Sequence, residues 1–144
     1  MKTLTVFTKQ LKLTTKGEED IVNITSSIAK TVSQSKCTNG TVTVFVTGST
    51  GSLTTLEYET GLLQDFSTIL ARIAPKNIVY DHNKKWHDGN GHSHIRASIL
   101  GPSITIPVIN NQLTLGRWQQ IVFIEHDVRS RTRTLIIQII GESD

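Results

Sequence analysis

The sequence predicts an α+β protein in which two α-helices pack against antiparallel β-sheet. Two segments carry apolar residues at helical spacing, and about seven or eight shorter segments alternate apolar and polar residues as strands do. Most of the strand-like segments are separated by short turns, which favours antiparallel pairing. The chain has 144 residues and no linker, repeat or low-complexity segment, so a single domain over residues 1–144 is expected.

The N-terminal third predicts one strand followed by the longer helix. Thr3 to Leu13 alternates polar and apolar residues, with a slip in parity that predicts a bulge or short turn. A helix is then predicted from about Gly17 to Ser35, with Thr15 and Glu18 as its capping box. The helix prediction depends on the apolar spacing of Ile21, Ile24, Ile28 and Val32.

The middle third predicts a strand, a polar loop and the second helix. Thr41–Thr47 places valines on one face of a strand, and Gly48–Ser52 follows as a loop of small residues. Leu62 to Ile73 has helical spacing, which Pro75 ends. Asn77–Tyr80 is predicted to be a short strand leading into a histidine-rich segment.

The C-terminal third predicts only strands. Ile104–Val108 alternates, and Asn110-Asn111 is a hairpin turn candidate. Trp118–His126 and Thr132–Ile140 are long strands joined by a turn near residues 128–130. In a small chain, long apolar strands expose unpaired sheet edges. The strands therefore favour an oligomer, in which a second copy of the chain would cover such edges.

Composition narrows the class of function. The net charge is +3, so nucleic acid is not a favoured partner. The arginines at 129, 131 and 133 form one strand row that could meet phosphate or a neighbouring subunit, although we interpret it as a solvated face. No apolar stretch approaches the roughly 20 residues that span a bilayer. With no secretory pattern at residues 1–5, a cytoplasmic protein is expected. The single Cys37 excludes an internal disulfide.

Four of the five histidines lie between residues 82 and 94. In a strand, His92 and His94 would point to the same side, and His82 could join them because Gly89 and Gly91 let the backbone fold back. Three imidazoles with one open position suit a divalent metal, zinc in particular, so the metal set is His82, His92 and His94. Histidines that only shape the loop remain the alternative.

Two further segments carry candidate polar groups. The hydroxyls and backbone N–H groups around Ser49, Thr50 and Ser52 suit a phosphate or another anion, although a plain turn needs no such role. Glu57 is a candidate general base. The alternative is an acidic residue that favours a helix N-terminus.

Three stretches of the chain resemble one known family. They are Gly89–Ser103, Leu115–Ile121 and Glu125–Asp127 with the arginines that follow. In this order they are similar to the YjbQ-like family of small proteins, which is associated with thiamine-phosphate synthase activity. One departure is Gly48, which stands where many bacterial members have the histidine of an HTSAS motif.

The resemblance implies a homotrimer with sites near subunit interfaces and a pocket for a small phosphorylated molecule. It implies Glu57, His82 and His94 as catalytic residues. The substrate-binding residues would be Ser49, Thr50, Ser52, Arg96, Trp118 and Gln119. The implied reaction joins a pyrimidine pyrophosphate to a thiazole phosphate with loss of pyrophosphate. A metal-dependent hydrolase and a non-catalytic trimeric module that binds an anion or metal are the alternatives.

Overall fold

A computed structural model describes residues 1–144 and contains eight strands and four helices. The strands are β1 (Thr3–Thr14), β2 (Ile21–Asn23), β3 (Asn39–Val46), β4 (Gly51–Leu56), β5 (Ser103–Ile109), β6 (Gln112–Leu113), β7 (Gln120–Glu125) and β8 (Thr132–Ser143). The helices are α1 (Thr25–Ser35), α2 (Thr60–Ile73), α3 (Asp81–Trp86) and α4 (Gly91–Leu100). The α+β class with antiparallel pairing is confirmed, with four helices in place of the expected two.

The strands form two antiparallel sheets that share one core. The larger sheet has the order β1-β8-β3-β5-β6 and the smaller has the order β2-β7-β4. The inward residues of β3 and β8 pack with those of β4 and β7 and with one face of α1. This shared cluster includes Val42, Val44, Val46, Leu53, Ile121, Phe123, Leu135, Ile137 and Ile139. Burial of these apolar side chains is the main stabilising term of the fold.

The expected hairpin between the last two long strands does not form. β7 pairs with β2 and β4, whereas β8 pairs with β1 and β3. The connection at residues 126–131 therefore passes from one sheet to the other. This crossing brings the end of β7 and the start of β8 together without a ladder between them.

The N-terminal predictions need two corrections. β1 pairs with β8 one residue to one from Thr3 to Thr14, so there is no bulge. The alternation of apolar residues along β1 changes phase because Leu4 and Val6 lie on the open face of the sheet, where they are 74% and 63% exposed. The helix begins at Thr25, because residues 21–23 pair with β7. Its predicted capping box is wrong, since Thr15 donates to Glu125 at 2.7 Å.

The histidine-rich segment is helical rather than extended. Asn77–Tyr80 forms a turn and an irregular stretch, and residues 81–86 and 91–100 form α3 and α4. The side-chain oxygen of Asn83 accepts a hydrogen bond from Gly91 N at 2.9 Å, which joins the two helices. Gly91 lies against Tyr80 so closely that a Cβ atom there would be 2.6 Å from the tyrosine Cβ. This close approach explains the glycine that begins α4.

The remaining predicted elements are confirmed. The second helix spans Thr60–Ile73, the strand predicted at 41–47 corresponds to β3, which ends at Val46, and the strand predicted at 104–108 is part of β5. Asn110 and Asn111 both have positive φ, 52° and 60°, as a tight hairpin turn requires. None of the four helices is both long enough and apolar enough to cross a bilayer.

Candidate functional site

A charged cavity of about 380 Å³ lies where the ends of β4, β7 and β8 meet α3 and α4. It is lined by Gly48, Ser49, Thr50, His82, Trp86, Asp88, Asn90, His94, Asp127, Arg131 and Arg133. A larger cavity of about 590 Å³, beside α1 and β6, has only uncharged lining residues. Because titratable groups in a cleft point to chemistry, the charged cavity is the candidate site.

His82 and His94 form an imidazole pair at this cavity. Their ring centroids are 4.4 Å apart and their planes are tilted by 42°. On the far side of the pair, His82 Nδ1 lies 3.6 Å from the Asp88 carboxylate. Burial and the neighbouring His82 lower the pKa of His94, although Asp127 and Asp88 oppose this shift. His94 is therefore a neutral base at neutral pH.

A buried ion pair forms the floor of the cavity. The fully buried Glu125 accepts hydrogen bonds from Arg133 Nε at 2.9 Å and from Arg133 Nη2. The same Nη2 donates to Thr50 Oγ1 at 2.7 Å, and Thr50 in turn donates to Asp127 at 3.2 Å. Glu125 precedes the sheet-to-sheet connection and Arg133 follows it, so the pair links the two sheets.

Asp127 is the second buried carboxylate. It accepts two hydrogen bonds from Arg131, at 3.0 Å from Nε and 2.7 Å from Nη2. Burial disfavours its charge, but the bonds from Arg131, Val128 N and Asn90 outweigh burial and lower the pKa of Asp127. Of the arginine row only Arg129 is exposed, so its interpretation as a solvated face is wrong for 131 and 133.

His92 is not part of the cavity. Successive helix residues are about 100° apart, so residues two apart point in nearly opposite directions. His92 is fully buried and donates from Nε2 to the Glu18 carboxylate, which also accepts from Lys76 Nζ at 2.8 Å. The set of His82, His92 and His94 therefore does not surround one point. No group of three His, Cys, Asp or Glu side chains is placed to hold a metal ion.

Two other predicted binding residues also face away from the cavity. Arg96 lies on the His92 side of α4, where its Nε donates to Ala74 O at 3.1 Å. Ser52 is fully buried and hydrogen-bonds to His126 Nε2 at 2.8 Å. Of the predicted hydroxyl loop, only Ser49 and Thr50 line the cavity.

Glu57 and Trp118 lie at the opposite end of the smaller sheet. They line a separate groove of about 400 Å³, and β4 alone places about 17 Å between this groove and the cavity. Gln119 is close to this end and donates to Thr55 Oγ1 at 3.1 Å. Glu59, not Glu57, caps α2 by accepting from Gly61 N and Leu62 N. The residues expected in one pocket are thus divided within the chain.

Several cavity residues were missed by sequence reasoning. They are Trp86, Asn90 and Asp127, while Arg131 and Arg133 were interpreted as part of a solvated face. One signal was available, since Glu125 and Asp127 alternate before the connection and Arg131 and Arg133 alternate after it. Two acidic residues before a short connection and two basic residues after it predict ion pairs. The prediction holds only if the strand before the connection ends beside the start of the strand after it.

The comparisons with known proteins decide the family. The sequence profile of the family described as UPF0047 protein YjbQ-like matches residues 9–142. The chain belongs to the YjbQ-like family. A UPF0047 protein of Methanothermobacter thermautotrophicus is 36% identical over 137 residues, which cover 95% of this chain and 94% of the relative. One from Archaeoglobus fulgidus is 33% identical over 90% of this chain and 98% of its own length.

Solved structures of the YjbQ-like fold agree with this assignment. A protein of Sulfolobus solfataricus, described as YbjQ-like and of unknown function, superposes with a TM-score of 0.90 at 28% identity. The match covers 96% of this chain and 99% of that one. A hypothetical protein of Aeropyrum pernix gives a TM-score of 0.82 at 29% identity over 92% of this chain and 98% of that one. None of these descriptions states an activity.

Proposed function

We propose that this YjbQ-like protein is an enzyme that acts on a small phosphorylated substrate in the cavity beside His82 and His94. The single observation that carries the proposal is the imidazole pair, with centroids 4.4 Å apart, beside an arginine-lined floor. Each neutral imidazole has one ring nitrogen that donates a hydrogen bond and one that accepts. The pair therefore offers one proton donor and one acceptor within a single cavity, as general acid–base catalysis requires.

The reaction that we propose to test first is of the thiamine-phosphate synthase type. The thiazole nitrogen attacks the methylene carbon of the pyrimidine, a C–N bond forms, and the C–O bond to pyrophosphate breaks. An imidazole N–H of the pair donates to the leaving pyrophosphate, while other N–H donors of the cavity stabilise its charge. Gly48 removes the histidine that many bacterial members have in this loop, so this N–H donor would come from His82 or His94.

The metal chemistry expected from the sequence does not fit these residues. His92 is committed to Glu18 on the other side of α4, which leaves two imidazoles of the expected three at the cavity. No step of the proposed reaction runs through a metal ion. A hydrolase that used His82, His92 and His94 as zinc ligands has no support in this geometry.

We further propose that a homotrimer completes the site. Trp118 is 64% exposed, and Arg117 stacks on its indole at 4.9 Å, so the groove with Glu57 presents a flat aromatic surface. Within one chain this surface is too far from the imidazole pair to touch the same substrate. In a trimer, the groove of a second copy could meet the cavity of the first and hold a heterocycle over His94.

The enzyme proposal is tested by steady-state assays with both thiamine precursors and with a panel of phosphorylated metabolites. His82→Asn and His94→Asn should each lower the rate by about 10²–10⁴-fold, the usual contribution of a general acid or base. His87→Asn is the matched control, because His87 is exposed and does not line the cavity. Equal rates in all three variants, or no turnover by the unmodified protein, would refute catalysis by the pair.

The trimer proposal is tested by mixing inactive subunits. Mass measurement in solution should give three chains, and a refolded mixture of His94→Asn and Glu57→Ala chains should recover activity that neither variant has alone. Recovery requires that the two residues act from different subunits. A trimeric protein that binds phosphate tightly but turns nothing over would instead support the non-catalytic module.

A further inference from the structure

We infer that Gly48 opens a phosphate subsite in the floor of the cavity, where Arg133 Nη1 is the main donor. This inference rests on the proposed function and makes it more specific. It assigns the position of the phosphoryl group and names Gly48 as the residue that determines access to it.

Arg133 is held rigidly, yet one of its nitrogens is free. The residue is only 7% exposed, and its Nε and Nη2 donate to Glu125 and Thr50. Nη1 makes no hydrogen bond to any protein acceptor. A terminal guanidinium nitrogen carries two N–H donors, so an unpaired one on a residue that lines the cavity is available to an external acceptor.

Gly48 lies next to this nitrogen. A Cβ atom built on Gly48 would lie 3.0 Å from Arg133 Nη1, closer than most real Cβ contacts. The φ angle of Gly48 is not positive, so its backbone does not require glycine. We therefore infer that glycine at position 48 keeps the space beside Arg133 Nη1 open.

The chemistry of the surrounding groups selects an anion. Asp127 is occupied by Arg131 and Thr50, whereas Asp88 also lines the cavity and lies 3.6 Å from His82 Nδ1 without a hydrogen bond. The N–H donor that remains free at the floor of the cavity is Arg133 Nη1. Arginine binds phosphate oxygens through charge-assisted hydrogen bonds. The hydroxyl loop and His94 line the same cavity and complete a site for a phosphate dianion.

Phosphate binding tests the subsite without any turnover. Isothermal titration of the full chain with inorganic phosphate and with pyrophosphate, at constant ionic strength, should show binding of both. Gly48→Ala should weaken each by at least about tenfold, the loss expected for one hydrogen bond to a charged group. Gly116→Ala is the control, because its Cβ would have only an ordinary 3.6 Å contact, far from the cavity.

A second measurement does not depend on the variant's folding. In the unmodified protein, the side-chain NMR signal of Arg133 should shift on addition of phosphate and remain unmoved by the same ionic strength of chloride. An unmoved signal would overturn the subsite. Equal phosphate affinity in a folded Gly48→Ala protein would overturn it as well.

The two proposals fail in different ways. If phosphate binds through Gly48 and Arg133 but no substrate is converted, the subsite stands and the enzyme proposal is wrong. If turnover depends on His94 while Gly48→Ala leaves phosphate affinity and the Arg133 signal unchanged, the subsite is wrong and the enzyme proposal stands.

Discussion

His126 gives a prediction for stability in mild acid. Its side chain is almost fully buried beside Ser52, and Arg96 and Arg133 add unfavourable charge. Burial, as the largest cause, and then the charges of Arg96 and Arg133 lower the pKa of His126 to about 3. The folded protein therefore keeps this imidazole neutral, whereas the unfolded chain protonates it at an ordinary pKa of about 6.5.

The sign and the size follow from these two pKa values. Between them the unfolded state binds more protons than the folded state, so the free energy of unfolding decreases as the pH falls. From about pH 7.5 to about pH 5, one such histidine costs roughly 2 kcal/mol. His94 shifts in the same direction. The lowered pKa values of Glu18 and Asp127 matter only in stronger acid, below the ordinary carboxyl range near about 4.

Urea unfolding followed by circular dichroism at both pH values measures this effect. His126→Gln can still bond to Ser52 and cannot be protonated, so its loss of stability over the same interval should be about 2 kcal/mol smaller. His87→Gln, a change at an exposed position, should keep the slope of the unmodified protein. If His126→Gln and the unmodified protein lose the same free energy, His126 is not the group that protonates on unfolding.

Three other substitutions test the packing of the fold. Gly141→Ala should destabilise the protein by at least about 1–3 kcal/mol in urea unfolding, because its Cβ would lie 2.3 Å from Asn39 O; an unchanged midpoint would contradict this packing. Glu18→Gln should lower stability by roughly 1–3 kcal/mol, since it removes the charge that pairs with His92 and Lys76; a neutral effect would show that the pair is not formed. Asn111→Ala should cost about 1–2 kcal/mol, because its amide binds two carbonyls at the end of α1 at 3.0 and 2.6 Å and its φ is positive; hydrogen exchange should then be faster in the last turn of α1 than elsewhere.

Elements with a strong local signal could be predicted from the sequence. Val42, Val44 and Val46 alternate because one face of β3 is fully buried, and burial alone sets that pattern. The hairpin at Asn110-Asn111 was also visible, because asparagine is one of the few residues that tolerate positive φ. In both cases neighbouring residues decide the structure.

The metal site was predicted from a pattern whose meaning depends on secondary structure. His92 and His94 share a face in a strand but point apart in a helix. What makes this segment helical is not local, since it includes the bond from Gly91 N to Asn83 and the close packing of Gly91 on Tyr80. A spacing of two residues therefore could not distinguish a pair of ligands from two histidines in separate environments.

The charged floor of the cavity depends on topology that periodicity does not reveal. Residues 120–125 and 132–143 look like the arms of a hairpin, but they belong to different sheets. Glu125 and Arg133 meet because the chain crosses between sheets at residues 126–131. Burying such a pair is expensive, and replacing it with apolar residues would often be neutral for stability. The pair also fixes the orientation of Arg133, so an anion that binds Nη1 immobilises few further rotamers. On that reasoning, we expect the buried pair to matter more for the proposed phosphate subsite than for the stability of the fold.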